Sequence, residues 1–151
     1  MIVLDHRLLS EEPLPDATLT VMELPLSADQ RTVLRGRRRT ACGRDVLLQL
    51  PRDRALSPGD RLTDSQRKVH VLVTAAAEEL LRVEAATPLA LLEAAYHLGN
   101  RHVALELHEH ELLLLNDSVL TAMLNGRGLK LTRCCGPFRP EGGAYLAHQH
   151  A

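Results

Sequence analysis

The sequence predicts an α+β protein: a small all-β domain over residues 1–76, a β-α-β-β-α-β domain over residues 77–141, and a mobile histidine-containing tail over 142–151. Three observations predict it. Short runs with period-two alternation and β-branched residues recur before residue 76, the pattern of a small β domain. At Thr87-Pro88 the apolar period lengthens to that of a helix. The segments beyond it then fall in the β-α-β-β-α-β order, which is the ferredoxin-like motif.

The elements follow in turn. A possible short strand precedes the linker Glu11-Glu12-Pro13-Leu14-Pro15-Asp16. Thr18 to Leu24 alternates apolar and polar residues as a half-buried strand does. Arg31 to Thr40 turns at Ala41-Cys42-Gly43-Arg44 into Asp45 to Leu50, a hairpin. Pro51 to Asp60 is a turn-rich connection, and Val69–Val73 and Glu79–Val83 are two further strands. The second of these joins the later domain, because only Glu84-Ala85-Ala86 separates it from the next helix. That helix begins with Thr87 as N-cap and Pro88 in its first position. Leu89, Leu92 and Tyr96 form one apolar stripe along it, with Leu91, Ala95 and Leu98 beside it. Gly99 or Asn100 is the expected C-cap, since either tolerates the left-handed conformation. Val103–Leu107 and Glu111–Leu115 read as a hairpin, Asp117 caps a second short helix ending at Asn125-Gly126, and Leu129–Cys134 is the last strand.

Composition narrows the function. With one Phe, two Tyr and no Trp, the chain lacks the stacking platforms of a single-strand nucleic-acid binder. A formal net charge of −1 supplies no field toward nucleic acid or an anionic membrane. No apolar run approaches the ~20 residues of a membrane span, and the first residues lack the order of a signal peptide. Three cysteines, two of them adjacent, do not make a disulfide framework. A cytoplasmic protein is expected.

Six of the eight histidines lie from His97 onward, and histidine is the commonest metal ligand. His97 and His102 flank the end of the first helix. On spacing alone His102 reads as a helix-end histidine rather than a ligand, and His97 suits the negative end of the helix dipole. His108 and His110, among Glu106, Glu109 and Glu111, are either a solvated hairpin tip or a weak metal site. His148 and His150 repeat their spacing in the tail, while His6 and His70 are isolated. Cys134 and Cys135 point to opposite faces of a strand, so one of them is expected to be a small buried hydrophobe. The run Arg35-Gly36-Arg37-Arg38-Arg39 reads as a solvated strand face. No catalytic motif is present, and a metal-dependent hydrolase using His102 with Glu106 or Glu109 lacks a dense ligand cluster. The protein is expected not to be an enzyme.

The string Tyr96-His97-Leu98-Gly99-Asn100-Arg101-His102 resembles the urease accessory protein UreE family of nickel metallochaperones. Arg52 with Leu56, Gly59, Asp60 and Leu62, then Ala75-Ala76 with Glu78, and finally Pro137-Phe138, Pro140-Glu141 and Gly143-Ala144-Tyr145 resemble further family motifs in the same order. The resemblance implies a β domain that binds a protein partner and a ferredoxin-like domain that binds metal and dimerises. It implies that His102 is the principal metal ligand, supplied by both subunits at a homodimer interface, with His148 and His150 adding ligands. His97 becomes helix-end support, and His108 and His110 remain secondary candidates. The cargo implied is Ni(II), for which Zn(II) or Cu(II) would substitute in vitro, since imidazole suits all three. The implied role is nickel delivery for assembly of the urease active site, with the accessory GTPase and the apo-urease maturation complex as partners. The chain departs from family members that end in long histidine tails, and Asn116 and Ser118 stand where some members carry peripheral ligands. The competing reading is a metal-independent protein-interaction module with incidental histidines.

Overall fold

A computed structural model of the chain describes residues 1–8 and 21–142. The linker expected at 11–16, the first residues of the strand expected at 18–24, and His148 and His150 lie outside the described residues. The chain divides into two compact units, Met1–Ala76 and Ala77–Ala151. The fold is α+β, with mixed sheets and few helices. Among the described residues, no helix is long and apolar enough to cross a membrane.

Unit 1 contains β1 (Ile2–Leu4), β2 (His6–Leu8), β3 (Val21–Leu26), β4 (Arg35–Arg39), β5 (Asp45–Gln49), β6 (Arg61–Thr63) and β7 (His70–Ala75). They form two sheets, in the orders β1-β5-β4 and β2-β6-β7-β3. The hairpin expected around Ala41–Arg44 is present as β4 and β5, antiparallel, with Arg39 opposite Asp45. Leu4, Leu24, Leu26, Val46, Leu48, Leu62, Val71 and Val73 are buried in one cluster. Alternation explains the set: in β5, Val46 and Leu48 are buried while Asp45 and Gln49 are exposed. Unit 1 is not purely β. A one-turn helix, α1 (Ala28–Arg31), follows β3, started by a capping box. The Ser27 hydroxyl accepts from the Gln30 N–H at 3.1 Å, and the Gln30 side-chain oxygen accepts from the Ser27 N–H at 2.9 Å. The short strands β2 and β6 pair with each other, and β6 falls in a stretch with no alternating run of its own.

Unit 2 runs β8 (Ala77–Glu84), α2 (Pro88–Asn100), β9 (Glu106–Leu107), β10 (Leu112–Leu115), α3 (Ser118–Gly126) and β11 (Lys130–Pro137). Its sheet has the order β11-β8-β10-β9, and every neighbouring pair is antiparallel. Thr87 caps α2 by accepting from the Ala90 N–H at 3.1 Å, with Pro88 in the first turn. Asp117 caps α3 by accepting from Val119 and Leu120. Leu81 and Val83 of β8 and Leu112 and Leu114 of β10 pack against Leu91, Ala94, Leu98 and Leu124 of the helices.

Two further expectations need correction here. The stripe Leu89–Leu92–Tyr96 does not face the sheet: these residues are 64%, 67% and 66% exposed, and Leu91, Ala94 and Leu98 are buried instead. The helix is apolar around much of its circumference, so periodicity does not choose between adjacent stripes. The stripe containing Ala94 packs on the sheet, where a small residue lets the helix approach closely. Neither Cys134 nor Cys135 is buried; β11 is an edge strand, and these thiols are half-exposed and exposed.

Candidate metal centre

The end of α2 sets the geometry of the candidate site. Neither Gly99 nor Asn100 is the C-cap; that position is Arg101, with φ and ψ of −92° and 6°. The left-handed residue is His102, at φ 59°. Its N–H donates to Gly99 O at 3.0 Å, and the Val103 N–H donates to Leu98 O at 3.1 Å. These two bonds form a Schellman motif with His102 in the position usually given to glycine. Val103 then packs into the same cluster as Leu98. The sister helix ends in the same way. Arg127 is its C-cap, Gly128 at φ 75° donates to Asn125 O, and Leu129 donates to Leu124 O. Unit 2 therefore builds one motif twice, once with glycine and once with histidine. A left-handed conformation costs a residue with a Cβ roughly 1–2 kcal/mol, and such strain clusters where function requires it. The same tight turn leaves His102 exposed.

His97 is half-buried one turn earlier, with its ring edge-on to Tyr96 at 5.3 Å. This fits a support role at the negative end of the helix. His108 and His110 occupy the tip of the β9–β10 hairpin. The His108 Nε2 lies 2.6 Å from Glu106 Oε2, and His110 lies 3.7 Å from Glu109, both of the latter pair almost fully exposed. A shallow cleft of about 390 Å³ joins His108 to Glu111 with Arg82 and Glu84. Arg82 forms an ion pair with Glu111 there, and its positive charge opposes a second cation. Among the described residues, no three histidine, cysteine or carboxylate side chains converge on one point.

The root of the tail is held near His102. The Glu141 N–H donates to Leu105 O at 2.7 Å, the Arg139 N–H to Glu106 Oε1 at 2.6 Å, and Phe138 is fully buried. Two histidines and one cysteine in unit 1 make local contacts. His6 pairs with Asp5 at 2.7 Å. His70 is 2% exposed, with Nε2 3.2 Å from Arg67 O. Cys42 is exposed in the β4–β5 turn, and the Thr40 hydroxyl hydrogen bond holds its thiol below the usual range.

Residues 78–151 match the family described as UreE urease accessory protein, C-terminal domain. A urease accessory protein UreE of Synechococcus sp. (strain CC9311) is 85% identical over 151 residues, all of this chain and 97% of the relative. The chain belongs to the UreE family. The namesake from Parasynechococcus marenigrum is 62% identical over 150 residues, 99% of this chain and 97% of the relative. That from Nostoc punctiforme is 45% identical over 139 residues, 92% of this chain and 93% of the relative. UreE proteins are accessory proteins, not enzymes. The UreE match spans the whole of α2, His102 and the hairpin histidines, and the full-length relatives extend it across unit 1. Sequence reasoning placed His102 just after the helix but did not anticipate its left-handed backbone, because glycine is the ordinary signal for that conformation. It also missed Glu106 as the anchor of Arg139, a contact between residues 33 positions apart.

Proposed function

We propose that this chain is a nickel metallochaperone that carries Ni(II) to the urease maturation complex, working in the cytoplasm as a homodimer. The observation that carries the reading is His102 held left-handed and exposed where the sister helix has Gly128. A histidine in a glycine position has a cost, and a metal-binding imidazole is a reason to bear it. The β-α-β-β-α-β order and the sheet order β11-β8-β10-β9 support the ferredoxin-like reading of unit 2. Unit 1 is then the domain that meets the accessory GTPase and apo-urease; the relatives' name, urease accessory protein, supports the link to urease.

A lone exposed histidine is a weak ligand set, so the reading needs more ligands. A second subunit is one source. The exposed apolar stripe Leu89–Leu92–Tyr96 runs along α2, the helix that His102 follows, and a two-fold axis beside α2 brings the two copies of His102 together. The tail is the other source. His148 lies seven positions beyond Glu141, a reach of up to about 24 Å, and Glu141 is bonded to Leu105, three positions from His102. His148 and His150 are therefore assigned as added ligands, with His97, His108 and His110 in secondary roles. Few ligands in an exposed setting suit an ion that must be handed on, and Zn(II) or Cu(II) would compete for the same imidazoles.

Nickel titration by calorimetry, with the mass of the complex measured in parallel, tests this. One tight Ni(II) per dimer is expected, lost in His102→Ala. Unchanged binding in that variant refutes the assignment.

A further inference from the structure

Among the described residues, strand β4 pairs on one side only over Arg35–Arg39, in the order β1-β5-β4, and just beyond it the Ala41 N–H donates to Glu23 O of β3 at 2.8 Å. The Leu50 N–H donates to Leu34 O, and the Thr40 N–H to Arg44 O. In this antiparallel ladder the backbone groups of positions 34, 36, 38 and 40 are therefore directed at β5, and those of Arg35, Arg37 and Arg39 at the open edge. The same three side chains are exposed on one face, while Gly36 and Arg38 are half-buried on the other. Arg39 pairs with Asp45 at 3.1 Å, but Arg35, Arg37 and Arg38 form no ion pair among the described residues.

Arg38 is the unusual member. Its Nη1 donates to the carbonyl of Arg37 at 2.6 Å, an acceptor that belongs to the open edge. Its Nε is buried with no hydrogen-bond partner. The guanidinium lies over Gly36, where an added Cβ would come within 3.2 Å of Nη1 and where φ is +138°. Beside it, a cleft of about 380 Å³ is lined by Arg37, Arg38 and Arg39, with Pro25 and Leu26 of β3 and Gln30 of α1. β3 is the edge strand of the other sheet. Charged side chains often guard a sheet edge against random pairing. A guard does not require an unpaired buried donor, nor an edge carbonyl covered by the neighbouring side chain.

We propose that the open edge of β4 receives an extended acidic segment of a partner protein, added as a further strand. Its carboxylates at alternate positions meet Arg35, Arg37 and Arg39, and the Arg38 guanidinium moves off the Arg37 carbonyl, which then accepts from an N–H of the added strand. The backbone donors and acceptors lie at strand spacing, which suits polypeptide. The absence of aromatic residues around the arginines disfavours nucleic acid. This inference rests on the reading of unit 1 as the partner-binding domain, and supplies that reading with a place and a chemistry.

The test uses the full chain and a fluorescent heptapeptide with glutamate at its second, fourth and sixth positions and valine or threonine between. Two controls carry the three glutamates in a row, or lysine in their place. The alternating peptide alone should bind, slowing amide exchange at Arg35, Arg37 and Arg39 but not at Gly36 or Arg38. Arg35→Glu with Arg37→Glu should weaken it about tenfold or more while leaving nickel binding intact. Arg35→Gln with Arg37→Gln carries the same test if the reversal disturbs folding. Equal binding of the clustered-glutamate peptide, or of a DNA oligonucleotide, overturns the proposal. A chain that ignores the peptide yet still binds the maturation complex overturns the β4 location and leaves the partner-binding reading standing.

Discussion

Replacing His102 by glycine separates what this residue costs the fold from what it offers a metal. The backbone at φ 59° costs a residue with a Cβ roughly 1–2 kcal/mol relative to glycine. Glycine returns about 0.5–1 kcal/mol of that through the entropy of the unfolded chain. His102→Gly should therefore stabilise unit 2 by about 0.5–1 kcal/mol, a rise in Tm of a few degrees for a domain of this size. His102→Ala keeps the Cβ and the strain, so its Tm should stay near that of the wild type. Gly128→Ala is the reciprocal experiment. A Cβ there meets nothing within 4 Å, so its cost is conformational alone, and Tm should fall by a similar amount. Circular dichroism melts in chelator measure all three on metal-free protein. A fall of several degrees in His102→Gly refutes the reasoning, because it would mean that the imidazole itself holds the turn together.

Two further outcomes follow from other sites. Asp64 is partly desolvated, which raises its pKa, but the N–H groups of Val69 and Lys68, 3.2 and 2.8 Å from Oδ1, outweigh this and hold it below the ordinary carboxylate value. A carboxyl with a depressed folded pKa contributes stability above its unfolded value, near 4, and loses it as pH falls through the folded value. Asp64→Asn should lower the urea midpoint at pH 7, with the two proteins converging toward pH 3; parallel pH profiles would contradict this. Leu92→Glu, on the exposed stripe of α2, should yield monomers in sedimentation without lowering Tm, and a dimer that persists rules out α2 as the interface.

Local signals made much of unit 2 legible. Thr87-Pro88 and Asp117 announced their helices because capping needs only a side chain and the next few N–H groups. The β4–β5 and β9–β10 hairpins were legible for the same reason. The Ser27–Gln30 capping box was equally local and was missed, since a helix of one turn leaves no periodicity to corroborate it. Strands β2 and β6 were opaque because three residues do not establish alternation, and each exists by pairing with the other across more than fifty positions.

By itself the sequence determined where α2 and α3 begin, which longer segments alternate, and that the histidines gather in the second half of the chain. Tertiary structure alone decided which stripe of α2 is buried, that His102 takes a glycine's backbone, and that Glu106 holds the root of the tail. The reason is physical. Caps and alternation are contacts between near neighbours and leave their mark in the order of residues. Burial and strain depend on what packs against a segment, and here the sheet admits the face of α2 that carries Ala94 and turns Leu89, Leu92 and Tyr96 outward.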